Sequence, residues 1–245
     1  MALTSGAANA TVETSVPILE VAPGLVRELG PDLARTLEKT LRADVLHLRE
    51  KAWNPLEVDL GPEPWLGILV IDGLLEREVN VAGRTAAELL GPGDLLRPWD
   101  VVDPVDASVP VYAAWTVLAP ARLALLDARV RDVALRSPEL TMVLMSRTLH
   151  RSRSLAALLA IAQIRRLDMR ILTLLWHLAD RFGRVRSDGV AVEVPLKHVT
   201  LAKLLAATRP SVSSALGALA ERGELERLAG GGWLLKGDPP AAVLE

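Results

Sequence analysis

The sequence predicts an α+β protein: an N-terminal antiparallel β-roll of jelly-roll type, one long helix, and a C-terminal domain of two helices closed by a β-hairpin. Residues 45–127 break into short apolar runs punctuated by turns, the texture of an antiparallel roll or barrel. From residue 139 the apolar period becomes helical. Residues 199–237 hold two amphipathic stretches around a tight corner, followed by two short apolar runs on either side of three glycines.

Composition bounds the classes. A chain of 245 residues, 50% of them hydrophobic, supports two modest cores and is not a disordered chain. It contains no cysteine, which excludes disulfides, thiolate zinc sites, cysteine-ligated iron–sulfur clusters and cysteine nucleophiles. The start, "MALTSGAANATVETSV", lacks a basic segment followed by an apolar core, so residues 1–16 are expected to be a flexible tail and not a secretory signal. The uncharged apolar stretch Ser154–Ile164 is far shorter than the roughly 20 residues that cross a bilayer. No membrane partner is expected, and the expected location is cytoplasmic. The net charge is −2, yet residues 166–245 carry 11 Lys+Arg against 9 Asp+Glu, which permits a nucleic-acid partner without demanding one.

The roll is expected over residues 17–137. Asp72-Gly73 between two apolar runs predicts a hairpin, because a primed turn needs positive φ. Further turns are expected at Ala82-Gly83-Arg84 and at "GPGD", Gly91 to Asp94, with a break between two strands at Ala119-Pro120. Trp53, Trp65, Trp99 and Trp115 suit either a packed core or the lining of an apolar effector pocket. A roll enzyme of the cupin kind needs clustered His and carboxylate ligands, and of four histidines only His47 lies here. No Ser/His/Asp set or phosphate loop occurs either, so no catalytic residue, metal or cofactor is expected.

The long helix is expected over residues 138–165, with Pro138 in its first turn. Its apolar residues are Leu140, Val143, Leu144, Leu155, Leu158, Leu159 and Ala162, around a middle of Arg147, His150, Arg151 and Arg153. That narrow stripe reads as a coiled-coil-like seam between two copies or as packing within its own domain. In the following domain, residues 166–245, a helix containing a structural His177 ends at Gly183 as a C-terminal glycine, and a strand follows at "VAVEVPL".

In "VTLAKLLAATRPSVSSALGALAERGELERLAGGGWLLKG", Leu201, Leu204 and Leu205 are spaced to pack on Val212, Leu216 and Leu219 across Ala206-Ala207. Arg209, Ser213 and Ser214 are left facing outward. Thr208 caps the second helix, and Pro210, tolerated in the first turn, shifts the start to the residue after Arg209. "ELERL" and "GWLLKG" form a wing with a glycine tip. Helix, turn, helix and wing is an arrangement that places one helix in a major groove about 12 Å wide.

The order of roll, long helix and "LAKLLAATRPSVSSALGALAERG" resembles the CRP/FNR family of bacterial transcription regulators from about Pro17 to Gly237. The family's Ser/Thr-Arg-Glu-x-Val-Ser-Arg pattern is kept at Thr208, Arg209, Val212 and Ser213, with Pro210 replacing Glu and Ser214 replacing Arg. The resemblance implies a homodimer on palindromic double-stranded DNA, and RNA polymerase as a further partner. Base reading would fall to Arg209, Ser213 and Ser214, and phosphate contact to Lys197, His198, Thr208 and Ser211. In members that bind cyclic nucleotides, a Gly-Glu pair and an Arg-Ser/Thr-Ala run hold the ligand. Here "LLRPWD" follows "GPGD" and no arginine occurs between Arg97 and Arg122, so that site is expected to be lost. A regulator answering to a non-nucleotide effector, or a structural or protein-interaction dimer that does not bind DNA, remains as the alternative.

Overall fold

The computed structural model describes residues 10–58, 65–98 and 108–240 and divides into two units, Met1–Ala82 with Leu89–Arg153, and Gly83–Glu88 with Ser154–Glu245. The chain enters as β1 (Ala10–Pro17), followed by three short helices, α1 (Ile18–Val21), α2 (Pro23–Leu29) and α3 (Pro31–Leu37). Then come β2 (Arg42–Leu48), β3 (Ala52–Trp53), β4 (Gly67–Val81), β5 (Arg84–Leu90), β6 (Leu95–Leu96) and β7 (Val111–Leu126). The sheet order is β1-β2-β7-β4-β5, with β3 on β7 and β6 on β4. Residues 10–16, expected in a flexible tail, are instead a sheet strand: Ala10 pairs with Leu48 and Pro17 with Arg42, and Val16 is buried in the core.

Two expected breaks are absent. β4 runs through Asp72-Gly73 and β7 through Ala119-Pro120, in one antiparallel ladder from Gly67↔Leu126 to Val81↔Val111. Register shifts around Asp72 make this a bulge, and the Asp72 carboxylate accepts from the Arg122 backbone N–H (3.1 Å) and Nε (2.8 Å). Gly73 has φ +87°, and a Cβ there would collide with the Pro120–Ala121 backbone. The chain does turn at Ala82-Gly83 (φ +49° and +76°) and at Gly91–Asp94, where the Asp94 N–H donates to the Gly91 carbonyl (3.0 Å) and its carboxylate accepts from the Gly91 N–H (2.8 Å).

Inside the roll Trp53 and Trp115 meet edge to face at 5.8 Å among Leu46, Val70, Leu75 and Leu123, so both are core residues. Trp65 packs at the margin of this cluster, and Trp99 lies outside the described residues. A second cluster, around Ile18, Leu25, Leu41, Leu126 and Val130 of α4 (Ala128–Ala134), also takes in Leu140 and Leu144 of α5 (Pro138–Ala162). Arg147 of α5 donates to the Gly93 carbonyl (3.0 Å) and pairs with Glu28 (2.7 Å). Leu140 and Leu144 thus follow the second of the two readings of the stripe and anchor α5 to its own domain. The large apolar side chains that stay exposed on α5 are Met142, Met145, Leu149 and Leu159. The division between the two units falls inside this helix, after Arg153.

In the second unit α6 (Leu167–Phe182) buries Ile171, Leu174 and Leu175 beneath a sheet ordered β10-β11-β9-β8. Those strands are β8 (Gly183–Arg186), β9 (Gly189–Val192), β10 (Leu225–Arg227) and β11 (Trp233–Leu235). Between β9 and β10 lie α7 (His198–Leu204) and α8 (Arg209–Glu221). α6 ends with Gly183 as its C-cap, as the sequence led us to expect; that glycine is extended (φ −81°, ψ 149°) and opens β8. His177 of α6 hydrogen-bonds Ser154 of α5 (3.3 Å), a structural contact.

Candidate nucleic-acid interface

α7 and α8 form a corner fixed from both sides. Leu201, Leu204, Leu205, Val212, Leu216 and Leu219 are all buried between them and α6. Ala206 takes the left-handed turn at φ +49°, and the Ala207 N–H donates back to the Ala202 carbonyl (2.9 Å). From α6, the Arg170 guanidinium donates to the Leu205 carbonyl (2.9 Å) and Nε to that of Ile164 (2.7 Å), which pins the corner. At the far end of α8, Arg222 pairs with Asp168 of α6 (3.2 Å). Asp168 also meets Arg166 (2.8 Å), and this ion pairing, chiefly with Arg166, holds its carboxyl below the usual range.

α8 begins at Arg209 itself, one residue earlier than the sequence led us to expect, with Pro210 second. Thr208 is the N-cap: its Oγ1 accepts from the Ser211 N–H (3.4 Å) and lies 2.8 Å from the Ser211 hydroxyl. With Val212, Leu216 and Leu219 inward, the helical period turns Pro210, Ser214, Gly217 and Glu221 outward, and all four are exposed. A Cβ on Gly217 would meet nothing within 4 Å. Arg209 projects at one flank of this ridge and Ser211 at the other, both exposed.

The remaining candidates divide. Lys197 is exposed at the N-cap of α7. His198 and Ser213 are half-buried and bonded to each other, Nδ1 to Oγ at 2.8 Å, and the Ser213 hydroxyl also donates to the Arg209 carbonyl (3.1 Å). The His198 ring stacks on Trp233 (6.2 Å between centroids, 27° between planes), and Trp233 carries the Arg227 guanidinium 4.5 Å from its centroid. Burial first, then the charges of Arg227 and Arg209, depress the His198 pKa from its ordinary 6.5 and favour the neutral ring. Arg227, Trp233 and their stack on His198 were not among the sequence candidates. The signal was there in principle, since Arg227 and Trp233 are cross-strand partners of the wing.

The wing closes through Leu228 N–H to the Gly232 carbonyl (3.0 Å) and Gly231 N–H to that of Leu228 (2.9 Å), presenting a glycine tip. Lys197, Arg209 and Arg227 thus cluster where α8 starts, while Glu221 and the Asp168–Arg222–Glu224 ion pairs lie at its end. The front turn of α8 thus presents exposed Arg209 beside the small residues Pro210 and Ser211, on a base of buried leucines and Val212. Among the described residues no group of three or more His, Asp or Glu could hold a metal ion, and no helix is long and apolar enough to cross a membrane.

Residues 169–236 match the family model of a Crp-like helix-turn-helix domain. Among solved structures the chain is similar to a CooA mutant from Carboxydothermus hydrogenoformans, at 15% identity and TM-score 0.60 over 92% of each chain. It is similar to a cyclic nucleotide-binding domain containing protein from Listeria monocytogenes EGD-e at 16% identity and TM-score 0.60, covering 90% of this chain and 98% of that one. FixK2 from Bradyrhizobium japonicum gives 16% and 0.58, covering 80% and 93%. No curated protein matches the chain.

Proposed function

From a CRP/FNR-like regulator with a helix-turn-helix DNA-binding domain, we infer sequence-specific binding to palindromic duplex DNA by a homodimer. The observation that carries this reading is the exposed, cationic front turn of α8 held on a buried base. Arg209 is the base reader, forking onto a guanine in the major groove, with Ser214 beside it on the same exposed surface. Lys197, Thr208 and Ser211 lie around that turn and meet phosphates, which fix register without reading sequence. Two-fold symmetry sets the half-sites about 34 Å apart, one turn of DNA.

The dimer forms through α5. Met142, Met145 and Leu149 recur at spacings of three and four along its exposed face, the period of a two-helix seam. The roll does not hold a cyclic nucleotide. Arg97 donates to the Trp65 and Leu66 carbonyls (3.0 and 3.2 Å), and Arg122 is engaged with Asp72 (2.7 Å), which takes up the two arginines that flank the stretch where a phosphate ligand is missing. RNA polymerase is the partner such a regulator acts on.

The test is selection of binding sites from a random duplex library by the full chain, followed by titration of the selected site and a scrambled one across salt. Arg209→Ala is expected to cost about 1–3 kcal/mol on the selected site and to relax preference at one base pair per half-site. Lys197→Ala is expected to weaken both duplexes alike and flatten the salt slope. Failure to enrich any sequence would overturn the reading.

A further inference from the structure

We propose that Ser213 and His198 are positioning residues for Arg209, and that they act as a relay from the wing to the base-reading side chain. This rests on the DNA-binding reading and concerns how its one long reader is held.

The relay has a definite direction. A serine hydroxyl has a single proton, and that of Ser213 goes to the Arg209 carbonyl (3.1 Å), so in the 2.8 Å contact with His198 the imidazole Nδ1 must donate. A neutral ring with its proton on Nδ1 does this, and burial beside Arg227 and Arg209 favours the neutral form. His198 is held in turn by its stack on Trp233, whose ring carries Arg227, and Arg227 Nη1 donates to the Leu196 carbonyl (3.4 Å) just before α7. Contacts therefore run without a gap from the wing strands through α7 to the first residue of α8.

Arg209 is where such a restraint matters. It precedes Pro210, which disfavours the helical conformation in the residue before it and brings no N–H of its own. The first turn of α8 is thus the least self-sufficient part of the helix, although the specific contact originates there. A hydrogen bond from the Ser213 hydroxyl onto the Arg209 carbonyl ties this residue down where the following proline works against its helical conformation. Reading a base would require the half-buried Ser213 hydroxyl to leave both partners. This takes Ser213 out of the base-reading set and gives His198 a role other than phosphate contact.

The full chain is tested on the selected operator, on operators changed one base pair at a time, and on scrambled duplex. The base pair read by Arg209 is the one at which Arg209→Ala loses discrimination. Ser213→Ala is expected to reduce discrimination at that same pair roughly three- to tenfold, as one restraining hydrogen bond is lost, and to leave scrambled binding unchanged. Ser213→Thr, which restores a hydroxyl, and His198→Asn, which keeps a donor near the position of Nδ1, are expected to retain discrimination. His198→Ala is expected to match Ser213→Ala, with the double variant no worse than either. The proposal is overturned if Ser213→Ala alters preference at a different base pair, weakens all duplexes alike or changes nothing. A wild type that enriches no sequence would instead bring down the DNA-binding reading beneath it.

Discussion

Replacing Leu149 by aspartate tests the α5 seam. Leu149 is 52% exposed and sits one helical repeat beyond Met142 (59%) and Met145 (49%), on a face turned away from the core that Leu140 and Leu144 join. Fully burying a leucine contributes about 1.5–3 kcal/mol, so covering its exposed half contributes about 1 kcal/mol. A symmetric dimer contains the residue twice, and Leu149→Asp therefore removes about 2 kcal/mol of burial, roughly a 30-fold weaker dissociation constant. Two carboxylates brought face to face add to that loss. Sedimentation equilibrium of wild type and variant measures both constants, and circular dichroism checks that the exposed substitution leaves the fold intact. Leu158→Asp, in the stripe read from sequence but half-buried and away from the exposed Met142, Met145 and Leu149 face, serves as a comparison. A wild type that is monomeric at micromolar concentration, or a dimer indifferent to Leu149→Asp, would refute the seam.

His198 has its pKa depressed in the folded chain, so between that value and 6.5 the unfolded chain binds a proton the folded one does not, and stability falls as pH drops through this window. Thermal unfolding at pH 7.5 and 5.5 is expected to show a smaller drop for His198→Gln than for wild type. Gly73→Ala forces a side chain into φ +87° against the Pro120–Ala121 backbone, and a loss of about 1–3 kcal/mol is expected in urea denaturation. Asp168→Asn removes a carboxylate whose pairing with Arg166 and Arg222 stabilises the fold above the ordinary carboxylate pKa and is lost as pH falls below it, so acid unfolding of the variant is expected to be shallower. Cyclic AMP is expected to give no heat of binding in the micromolar range, and saturable tight binding would restore a nucleotide site to the roll.

What the sequence displays well is whatever is decided within a few residues. The α7–α8 corner was legible because apolar spacing, a threonine cap and a glycine after the second helix are all local signals. Asp72-Gly73 shows the limit of the same logic. The dipeptide correctly announces positive φ, but positive φ serves a bulge as well as a reversal, and the choice is made by β7, whose Pro120 and Ala121 lie against it from almost fifty residues away. β1 was missed for a similar reason: its valines declare a strand only once β2 lies beside them.

The interface divides along the same line. Ser211 came from the family resemblance, while helical period alone marked Arg209 and Ser214 as outward-facing and put Ser213 on the same accessible side. Its partner, His198, is fifteen residues away and is itself placed by a tryptophan from the wing. Small polar residues on a recognition helix are ambiguous for this physical reason. A serine hydroxyl bonds a base, a phosphate or its own scaffold equally well, and only the neighbouring elements decide which. In this chain the scaffold claims Ser213 and leaves Ser214 and Gly217 bare. On the DNA-binding reading proposed above, α8 would offer one long donor, Arg209, on an otherwise smooth ridge, and a single guanine contact and the shape of the groove would together carry most of the discrimination.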